Sequence, residues 1–449
     1  MYSTSLWHPC SQMKDYEAFA PVDISHAQGS YLYDKSGKAI IDAISSWWCK
    51  SLGHGHPQLK NRLIKQMDTL EHTILANTTN STIYALSERL CHKTKMNKAL
   101  YASDGSSAVE IAVKLSIHSR KLKNEHQKTR FLALKNGYHG ETTATLSISD
   151  LGLYNEPYAA IMWPKEQVHF IDAIPYVSGK NDPLWHDASE PWQKVEATLE
   201  SFAETITALI VEPLIQGAGG MKIYSKDFLI RLCRWARSHD IHIIADEIMT
   251  GIGRTGKFIA FDYIDLRADF ICLSKGLTGG MLPLSVCLTH DDIYQLFYDD
   301  YDTHKAFMHS HTHTGNTLAA SVALSVLDVF EDENILSYVD TSLAPLLLKN
   351  MIEVEQKTNA ITNIRALGGV IAADLINPDA IPRLGYKVYQ KAVELGALLR
   401  PLSNTIYWLP PLNCEASVIE SLKGITIAAI NAVYENLNHK PQAESTLFY

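Results

Sequence analysis

The sequence predicts an α/β protein whose large domain is built on a mostly parallel β-sheet, and three observations support this. Residues 208–211, 242–244 and 270–273 are continuous apolar runs, which are typical of parallel strands buried on both faces. Residues 225–240 have apolar side chains at helical spacing. The resulting order of strand, helix and strand is that of a parallel sheet, because parallel neighbours need a long crossover connection.

Length and composition describe a globular protein. The 449 residues favour one large α/β domain with a smaller companion, and the hydrophobic fraction of 46% and charged fraction of 20% are those of soluble proteins. The net charge of −9, without a Lys/Arg block, argues against a nucleic-acid partner. No leader-like segment and no uninterrupted apolar run of membrane-spanning length is visible, so we expect a soluble protein without membrane contact.

The cysteines indicate the compartment. There are seven, an odd number, and none is spaced as CxxC. This pattern argues against both a disulfide framework and a zinc finger. It fits a reducing cytoplasm, where we expect the protein to act.

Asp246 and Lys275 stand at the carboxyl ends of two of the predicted strands. Ligands of open α/β sheets bind at that edge, so both side chains are expected to face one crevice. An acid and an amine there suit pyridoxal 5'-phosphate, which a lysine holds covalently while a carboxylate pairs with the pyridine nitrogen. For an isolated Asp and Lys, an ordinary ion pair between strand ends is the alternative interpretation.

Three motifs surround these two residues. Residues 243–248 read Ile-Ile-Ala-Asp-Glu-Ile, residues 251–256 read Gly-Ile-Gly-Arg-Thr-Gly, and residues 274–280 read Ser-Lys-Gly-Leu-Thr-Gly-Gly. Together with the 275 − 246 = 29 positions from Asp246 to Lys275, they resemble the class III aminotransferases. The resemblance extends over nearly all of the chain and implies pyridoxal phosphate as cofactor and an aminotransferase activity.

The resemblance also implies the architecture of the family. This is the fold of type I pyridoxal-phosphate transferases, with a mostly parallel seven-stranded sheet in the large domain and a smaller α+β domain. We assign residues 1–55 to an N-terminal segment of the small domain and active-site wall, 56–330 to the large domain, and 331–449 to the C-terminal small domain. The family further implies a homodimer with the active site at the subunit interface.

The glycines at 251, 253 and 256 also form G-x-G-x-x-G, the formal dinucleotide fingerprint. That fingerprint requires glycines that open a helix within a βαβ unit. Here residues 257–261 continue as an apolar segment instead. We therefore interpret these glycines as part of a loop and not as a nicotinamide site.

A second turn offers an anion site. Residues 100–107 pass from a strand through Gly105 and Ser106 into a helix, whose first N–H groups are free to bind a phosphate. A merely capped helix is the alternative. Beside Asp246 and Lys275 we expect the phosphate cradle, and the family implies that Tyr138, at the end of another strand, stacks on the pyridine ring.

Other polar residues near the expected crevice are less specific. His139 follows Tyr138, but a lone histidine is more often a satisfied structural group than an acid or base. Glu212 ends the strand of residues 208–211 and is either a neighbour of the cofactor or a solvated strand-end carboxylate. Residues 150–204 are irregular, and we assign no elements there.

His309, His311 and His313 share one face of an extended segment. They could indicate zinc, which also needs a second shell and a fourth ligand or water. No such partner set is evident, so we expect no metal. The resemblance instead implies that Thr312 holds the phosphate across the dimer interface, with His311 beside it and Ser310 next to the substrate.

Trp47 and Trp48 are adjacent in a Gly/Ser-rich segment. In an extended segment successive side chains alternate, so the two rings cannot both face one core. We therefore expect at least one of them to line a cavity. Simple packing of both rings is the alternative, because large aromatic side chains are usually well buried.

The substrate site is implied by a narrower resemblance. Ser-Ser-Trp-Trp, shortly before His-Pro, is similar to a branch of the family that aminates the keto acid 8-amino-7-oxononanoate in biotin synthesis. This implies that the substrate-binding residues include Trp47, Trp48, Tyr138, Lys275 and Tyr407. Arg400 in Leu-Arg-Pro matches the substrate-carboxylate arginine, whose planar fork suits a carboxylate better than lysine does.

The amino donor is the least determined part. The branch implies S-adenosylmethionine, with lysine as the alternative donor and another class III ω-amino-acid aminotransferase as the alternative activity. Cys10 stands where the branch has a tyrosine, and a thiol is a poor replacement for a phenol donor. Two further classes stay open, a non-catalytic α/β binding protein and a zinc hydrolase using the three histidines.

Overall fold

The computed structural model describes residues 5–438, so the outermost parts of the first and last assigned domains, residues 1–4 and 439–449, lie outside the described residues. The strands, in chain order, are β1 (Ile24–Gln28), β2 (Tyr31–Asp34), β3 (Ala39–Asp42), β4 (Lys98–Ala102), β5 (Arg130–Leu134), β6 (Val168–Ile171), β7 (Tyr176–Val177), β8 (Ile206–Val211), β9 (Ile215–Gln216), β10 (Lys222–Tyr224), β11 (His242–Asp246), β12 (Phe270–Leu273), β13 (Ser285–Thr289), β14 (Ile361–Leu367), β15 (Val370–Leu375), β16 (Ala397–Leu398) and β17 (Thr405–Trp408).

The α-helices, in chain order, are α1 (Ser45–Trp48), α2 (Pro57–Met67), α3 (Ser81–Thr94), α4 (Gly105–Leu122), α5 (Thr143–Ser147), α6 (Pro183–His186), α7 (Ser189–Leu199), α8 (Lys226–Ser238), α9 (Asp291–Tyr294), α10 (Thr317–Asp332), α11 (Ile335–Tyr338), α12 (Ala344–Thr358), α13 (Leu384–Leu395) and α14 (Ala416–Asn438). Short 3-10 helices join several of them, among them Met13–Glu17 and Lys275–Thr278.

A seven-stranded sheet with the order β4-β13-β12-β11-β8-β5-β6 forms the centre of the fold. Only β13 runs antiparallel to its neighbours, so the predicted mostly parallel sheet is confirmed. Strands β8, β11 and β12 are buried along their whole length, which explains their continuous apolar sequences. Because β11 lies between β8 and β12, their carboxyl ends share one edge of the sheet.

The predicted helix before β11 is confirmed as α8, which begins after Ser225. The Ser225 hydroxyl accepts a hydrogen bond from the N–H of Phe228 and so caps the helix. The apolar face of α8 is buried and packs beside α7 and β11. The region 150–204, for which the sequence predicted no elements, contains α6, α7 and the sheet's edge strand β6. The polar His169 and the half-buried Phe170 obscure the strand pattern of β6.

The smaller sheets lie outside this centre. Strands β14, β15 and β17 form an antiparallel sheet against which α12 packs. Strands β1, β2 and β3 form an antiparallel sheet that β16, from the C-terminal part of the chain, joins in parallel beside β3. N-terminal and C-terminal segments therefore share one sheet. The division of the chain at residues 55 and 330 stays a prediction.

One described helix, Ala416–Leu437 within α14, is long and apolar enough by length and composition to cross a membrane. Of its most apolar 18-residue stretch, 33% is buried, and the helix packs against α12 and α13. It contains Glu420 and Lys423, so it is not the uninterrupted apolar run whose absence is visible in the sequence. A single helix of this kind is weak evidence for a membrane segment.

Candidate active site

Asp246 and Lys275 are brought to the same edge of the central sheet. Asp246 is the last residue of β11, and Lys275 begins a 3-10 helix two residues beyond β12, which pairs with β11. The Lys275 ammonium lies 5.3 Å from the centroid of the Trp48 ring. Burial lowers the pKa of Lys275, although the nearby Asp246 carboxylate opposes the shift. The amine is thereby shifted toward its neutral, nucleophilic form.

The Asp246 carboxylate is buried and held from two sides. Its Oδ2 lies 2.8 Å from Nδ1 of His139, which is also buried, and its Oδ1 accepts the N–H of Ile248 at 3.2 Å. An ionised carboxylate only accepts hydrogen bonds, so the Nδ1 of His139 donates. The sequence favoured His139 as a satisfied structural group. Its hydrogen-bond partner is Asp246, the candidate cofactor ligand, so His139 also orients a residue of the candidate site.

The N-terminus of α4 opens toward the same edge. Asp104 caps the helix by accepting the N–H of Ser107 at 3.0 Å. A Cβ on Gly105 would lie 2.9 Å from the end of the Ile248 side chain, two residues after Asp246, so the helix end lies close to the loop that follows β11. The free N–H groups of the first helical turn make this a site for an anion.

Ser106 connects the α4 N-terminus to the loop after β5. Its hydroxyl accepts the N–H of Glu141 at 3.1 Å, and a Cβ on Gly140 would overlap the same hydroxyl. In this loop Tyr138 donates its hydroxyl to Glu141 at 2.8 Å, and burial raises the pKa of Tyr138. The loop therefore places an un-ionised aromatic side chain beside the helix end.

Glu212 is not a solvated carboxylate. It is buried at the end of β8, and its two oxygens accept the N–H groups of Tyr138 at 3.0 Å and Gly217 at 2.9 Å. Burial raises the pKa of Glu212 to about 7. The sequence predicted that Glu212 points toward the crevice, but the donor from Tyr138 lies 74 positions away, and no local pattern reveals it.

The paired tryptophans differ in environment, so they do not both face one core, whereas the expectation that one of them lines a cavity stays a prediction. Trp48 is 6% exposed and donates its Nε1–H to the Tyr407 hydroxyl at 3.0 Å, whereas Trp47 is 44% exposed and lies 4.4 Å from the guanidinium of Arg400. The prediction of an extended segment is wrong, because these residues form a helical turn distorted at Ser46. Burial raises the pKa of Tyr407 to about 12, so its hydroxyl stays protonated.

A cavity of about 1280 Å³ reaches Arg400, which contacts Trp47, but neither tryptophan nor Lys275 is among the residues that line it. Arg400, Cys10 and Tyr154 line it together. The Cys10 thiol is exposed and lies 3.9 Å from the Tyr154 hydroxyl. An arginine fork, an aromatic wall and a large volume suit an organic carboxylate of considerable length.

Ser310 and Thr312 are exposed, and His311 is partly buried. The carbonyl oxygen of Thr312 lies 2.8 Å from Nε2 of His72, and His309 lies 2.8 Å from the Lys114 ammonium. Within the described part of one chain this segment makes no hydrogen bond to Asp246, Lys275 or Trp48. No group of three or more potential metal ligands occurs among residues 5–438.

The chain belongs to the class III aminotransferases. The family model for "Aminotransferase class-III" matches residues 12–430, which covers the sheet edge, the α4 N-terminus and Arg400. The protein is therefore an aminotransferase and uses pyridoxal 5'-phosphate, as the sequence motifs implied.

Individual relatives show which members of this family the chain resembles. The chain is 42% identical over 410 residues, or 90% of its length and 91% of the relative's, to the adenosylmethionine-8-amino-7-oxononanoate aminotransferase of Helicobacter pylori. It is also similar to the crystal structure of the enzyme of that name from Methanocaldococcus jannaschii, with a TM-score of 0.86, 30% identity and coverage of 95% of this chain and 97% of that one. A PLP-bound amine transaminase from an uncultivated Pseudomonas species matches with a TM-score of 0.86, 27% identity and coverage of 97% and 99%.

Proposed function

We propose that this protein transfers an amino group to 8-amino-7-oxononanoate, giving 7,8-diaminononanoate in biotin biosynthesis, with S-adenosylmethionine as donor. The relatives named for this reaction support the acceptor, since one is 42% identical over nine-tenths of the chain. The observation that carries the proposal is the joining of Arg400 and Trp47 beside Trp48 and Lys275. Two adjacent tryptophans thus contact the proposed carboxylate-binding arginine and the proposed reactive amine, which supports a keto-acid site between them.

The residues at the sheet edge fit pyridoxal phosphate. We assign the α4 N-terminus, with Gly105 and Ser106, to the phosphate, because a side chain at Gly105 would meet Ile248 where the anion site opens. Asp246 pairs with the pyridine nitrogen, and Tyr138 covers the ring. The bound cofactor supplies a pyridinium ring that withdraws electrons from the carbon losing its proton.

Lys275 has two tasks in this proposal. Its amine would hold the cofactor covalently, and the same amine, when free, would take the proton from the substrate carbon. Burial lowers the pKa of Lys275, so it accepts that proton at a pH where an exposed lysine is fully charged. Asp246, fixed by His139, keeps the pyridine nitrogen protonated because an adjacent carboxylate favours the charged ring.

Trp47, Trp48 and Arg400 bind and orient the keto acid. The guanidinium of Arg400 offers two parallel N–H donors to the substrate carboxylate, while its face stacks on Trp47. Trp48 excludes water from the Lys275 amine, and its indole is locked by the hydrogen bond to Tyr407. Tyr407 therefore acts mainly through Trp48, since its own side chain is buried.

We further propose a homodimer in which Ser310, His311 and Thr312 of a second copy complete the site. The exposed position of Thr312 supports this, because within one chain its segment lies apart from the Lys275 amine. Large apolar side chains are exposed on the same part of the surface, among them Ile74, Tyr301 and Met308. The dimer would bury these groups.

The donor assignment rests on the similarity to relatives whose names include adenosylmethionine. Lysine is the second candidate, because Cys10 and Ser310 depart from the pattern of that branch. The large cavity beside Cys10 and Tyr154 offers room for an adenosyl group, which lysine would not need. We place the reaction in the cytoplasm, without nucleic-acid or membrane partners, and the seven free cysteines support a reducing compartment.

Half-reactions test this function. Each candidate donor is added alone to the yellow holoenzyme, and the loss of the cofactor's visible absorption is followed before 8-amino-7-oxononanoate is added to restore it. We expect S-adenosylmethionine to remove the absorption and the keto acid to bring it back. If lysine removes the visible absorption and S-adenosylmethionine does not, lysine is the donor. If the keto acid does not restore the absorption, the assignment of the acceptor is refuted.

A further inference from the structure

The turn that holds the two tryptophans has an unfavourable backbone. Ser45, Ser46 and Trp48 have φ values of 51°, 58° and 66°, in the left-handed region that L-residues other than glycine rarely adopt. At Ser46 the accompanying ψ is −102°, which lies outside the small left-handed helical basin and in a region that favours glycine. We call residues 45–48 the tryptophan turn. Its conformation must be imposed by contacts elsewhere.

Asp42 supplies the strongest of these contacts. It is the last residue of β3 and is fully buried. Its carboxylate accepts the N–H of Ser46, at 2.8 Å to Oδ1 and 2.7 Å to Oδ2, and the Ser46 hydroxyl at 2.9 Å. His54 Nε2 lies 2.8 Å from the same carboxylate. An acceptor-only group is thus surrounded by donors, two of them from the residue with the most unfavourable backbone.

The tryptophan turn is also fastened on its other side. The Ser45 hydroxyl donates to the carbonyl oxygen of Leu409 at 2.7 Å, and Trp48 donates to Tyr407 in β17. These contacts fix the outer ends of the turn, whereas Asp42 fixes its middle. A rotation at Ser46 would therefore move Trp47 away from Arg400 while Trp48 stayed anchored.

We propose that Asp42 is a positioning residue for the keto-acid site. By holding Ser46 in a conformation that favours glycine, it sets Trp47 against Arg400. The inference rests on the proposed function, because it takes Trp47 and Arg400 as the wall of that site. Asp42 itself lies beneath the turn and acts through it.

Substitutions at Asp42 and Ser46 test this role, because they distinguish backbone strain at Ser46 from the need to satisfy buried hydrogen-bond donors. Asp42→Asn keeps the shape but replaces one acceptor oxygen by an N–H₂ group, so one uncharged oxygen is left for the donors of Ser46 and His54 and the hold on Ser46 is weakened. Ser46→Gly removes the Cβ that makes the backbone unfavourable, and glycine adopts this conformation without that penalty. If Asp42 serves to hold the strained turn, Ser46→Gly should compensate for Asp42→Asn. Ser46→Ala is the matched variant, because it removes the same hydroxyl donor but keeps the Cβ. If Asp42 only satisfies buried donors, Ser46→Ala should compensate for Asp42→Asn as well as Ser46→Gly does.

The chain offers a matched control in the β2–β3 hairpin. There Asp34 accepts the N–H of Ser36 at 2.8 Å and the Ser36 hydroxyl at 2.6 Å, the same pattern away from the site. We expect Asp42→Asn to lower kcat/KM for the keto acid on the order of tenfold, which corresponds to about 1.4 kcal/mol. We expect Asp34→Asn to stay within about twofold, as surface substitutions do. The double variant Asp42→Asn with Ser46→Gly should have a kcat/KM at least about threefold higher than that of Asp42→Asn alone. This gain would show a favourable coupling between the two substitutions.

Two outcomes would overturn the proposal. One is a wild-type kcat/KM in Asp42→Asn, and the other is a loss that Ser46→Gly leaves unchanged or that Ser46→Ala reverses equally well. The same four-member cycle is measured by urea unfolding without substrate, where the coupling between positions 42 and 46 should persist. The unfolding measurement does not depend on the substrate. If the enzyme does not convert 8-amino-7-oxononanoate, the proposed function is refuted, but the coupling in unfolding still tests whether Asp42 holds the strained turn.

Discussion

Nδ1 of His139 lies 2.8 Å from Oδ2 of Asp246, and both side chains are buried at the carboxyl edge of the central sheet. The two residues are 107 positions apart in sequence, so the pair is made by the fold. It fixes the orientation of the one buried carboxylate that the β11 strand presents to the proposed cofactor. The contact makes His139 a support for the chemistry, which the motif around it alone did not show.

Replacing His139 should weaken the cofactor site. His139→Ala leaves an Asp246 oxygen without its donor, and the loss of a charge-assisted hydrogen bond is about 1.5–3 kcal/mol. We expect weaker retention of pyridoxal phosphate during dialysis and a lower kcat, with partial recovery in His139→Asn. His169→Ala is the control, since His169 stacks on Phe202 at the edge strand β6. Equal cofactor retention in wild type and His139→Ala would contradict the role.

Lys275→Ala should abolish turnover, because it removes both the attachment point and the proton carrier. Borohydride reduction followed by peptide mapping provides a direct readout. In the wild type the cofactor should be fixed to the peptide that contains Lys275. Attachment to Lys50, which is also partly buried near Gly280, or near-normal activity in the variant would show that the amine is misassigned.

Arg400→Ala should act on the keto acid more than on the donor half-reaction. The loss of a two-point carboxylate contact is on the order of 1.5–3 kcal/mol, or about tenfold to a hundredfold in KM. Arg400→Lys should recover only part of this, because an ammonium cannot present the planar fork. Steady-state kinetics with varied acceptor concentration measure the effect. An unchanged KM for the acceptor in Arg400→Ala would remove the residue from the site.

Glu247, next to Asp246, should make stability depend on pH. Burial raises the pKa of Glu247 to about 7, although hydrogen bonds from Thr250, Ala260 and Phe261 oppose this. The folded state therefore favours the neutral acid, whose ordinary pKa of 4.5 applies in the unfolded chain. The contribution to stability is complete below pH 4.5 and is lost as the pH rises through about 7. The loss is about 1.36 kcal/mol for each pH unit that separates the folded and unfolded pKa values.

The Glu247→Gln variant isolates this contribution. Its free energy of unfolding should change less than that of the wild type between about pH 4.5 and pH 7, because the amide does not titrate. Urea unfolding at several pH values measures both slopes. Parallel slopes in the two proteins would show that Glu247 keeps an ordinary pKa in the folded state.

The sequence predicted those parts of the molecule that are encoded locally. Continuous apolar runs identified β8, β11 and β12, because strands buried on both faces have no polar side to obscure them. The positions of Asp246 and Lys275 at their ends followed directly. The turn at Gly105 was recognisable for the same reason, since a strand, a glycine and a helix follow one another without interruption.

The remainder depends on contacts between distant segments. The edge strand β6 escaped notice because its two central residues, the polar His169 and Phe170, are only partly buried. Glu212 accepts the N–H of Tyr138, 74 positions away, and no spacing in the sequence brings these two loops together. The distorted backbone at Ser46 likewise arises from the contact with Asp42, so the pair of tryptophans alone suggested an extended segment.

The most direct measurement of the central claim follows the nitrogen atom itself. The holoenzyme is incubated with 8-amino-7-oxononanoate and S-adenosylmethionine labelled with ¹⁵N in its α-amino group, and the products are examined by mass spectrometry. The account predicts 7,8-diaminononanoate that carries one labelled nitrogen, with none formed by Lys275→Ala. Absence of labelled diamine from both this donor and ¹⁵N-lysine would contradict the assignment of the reaction.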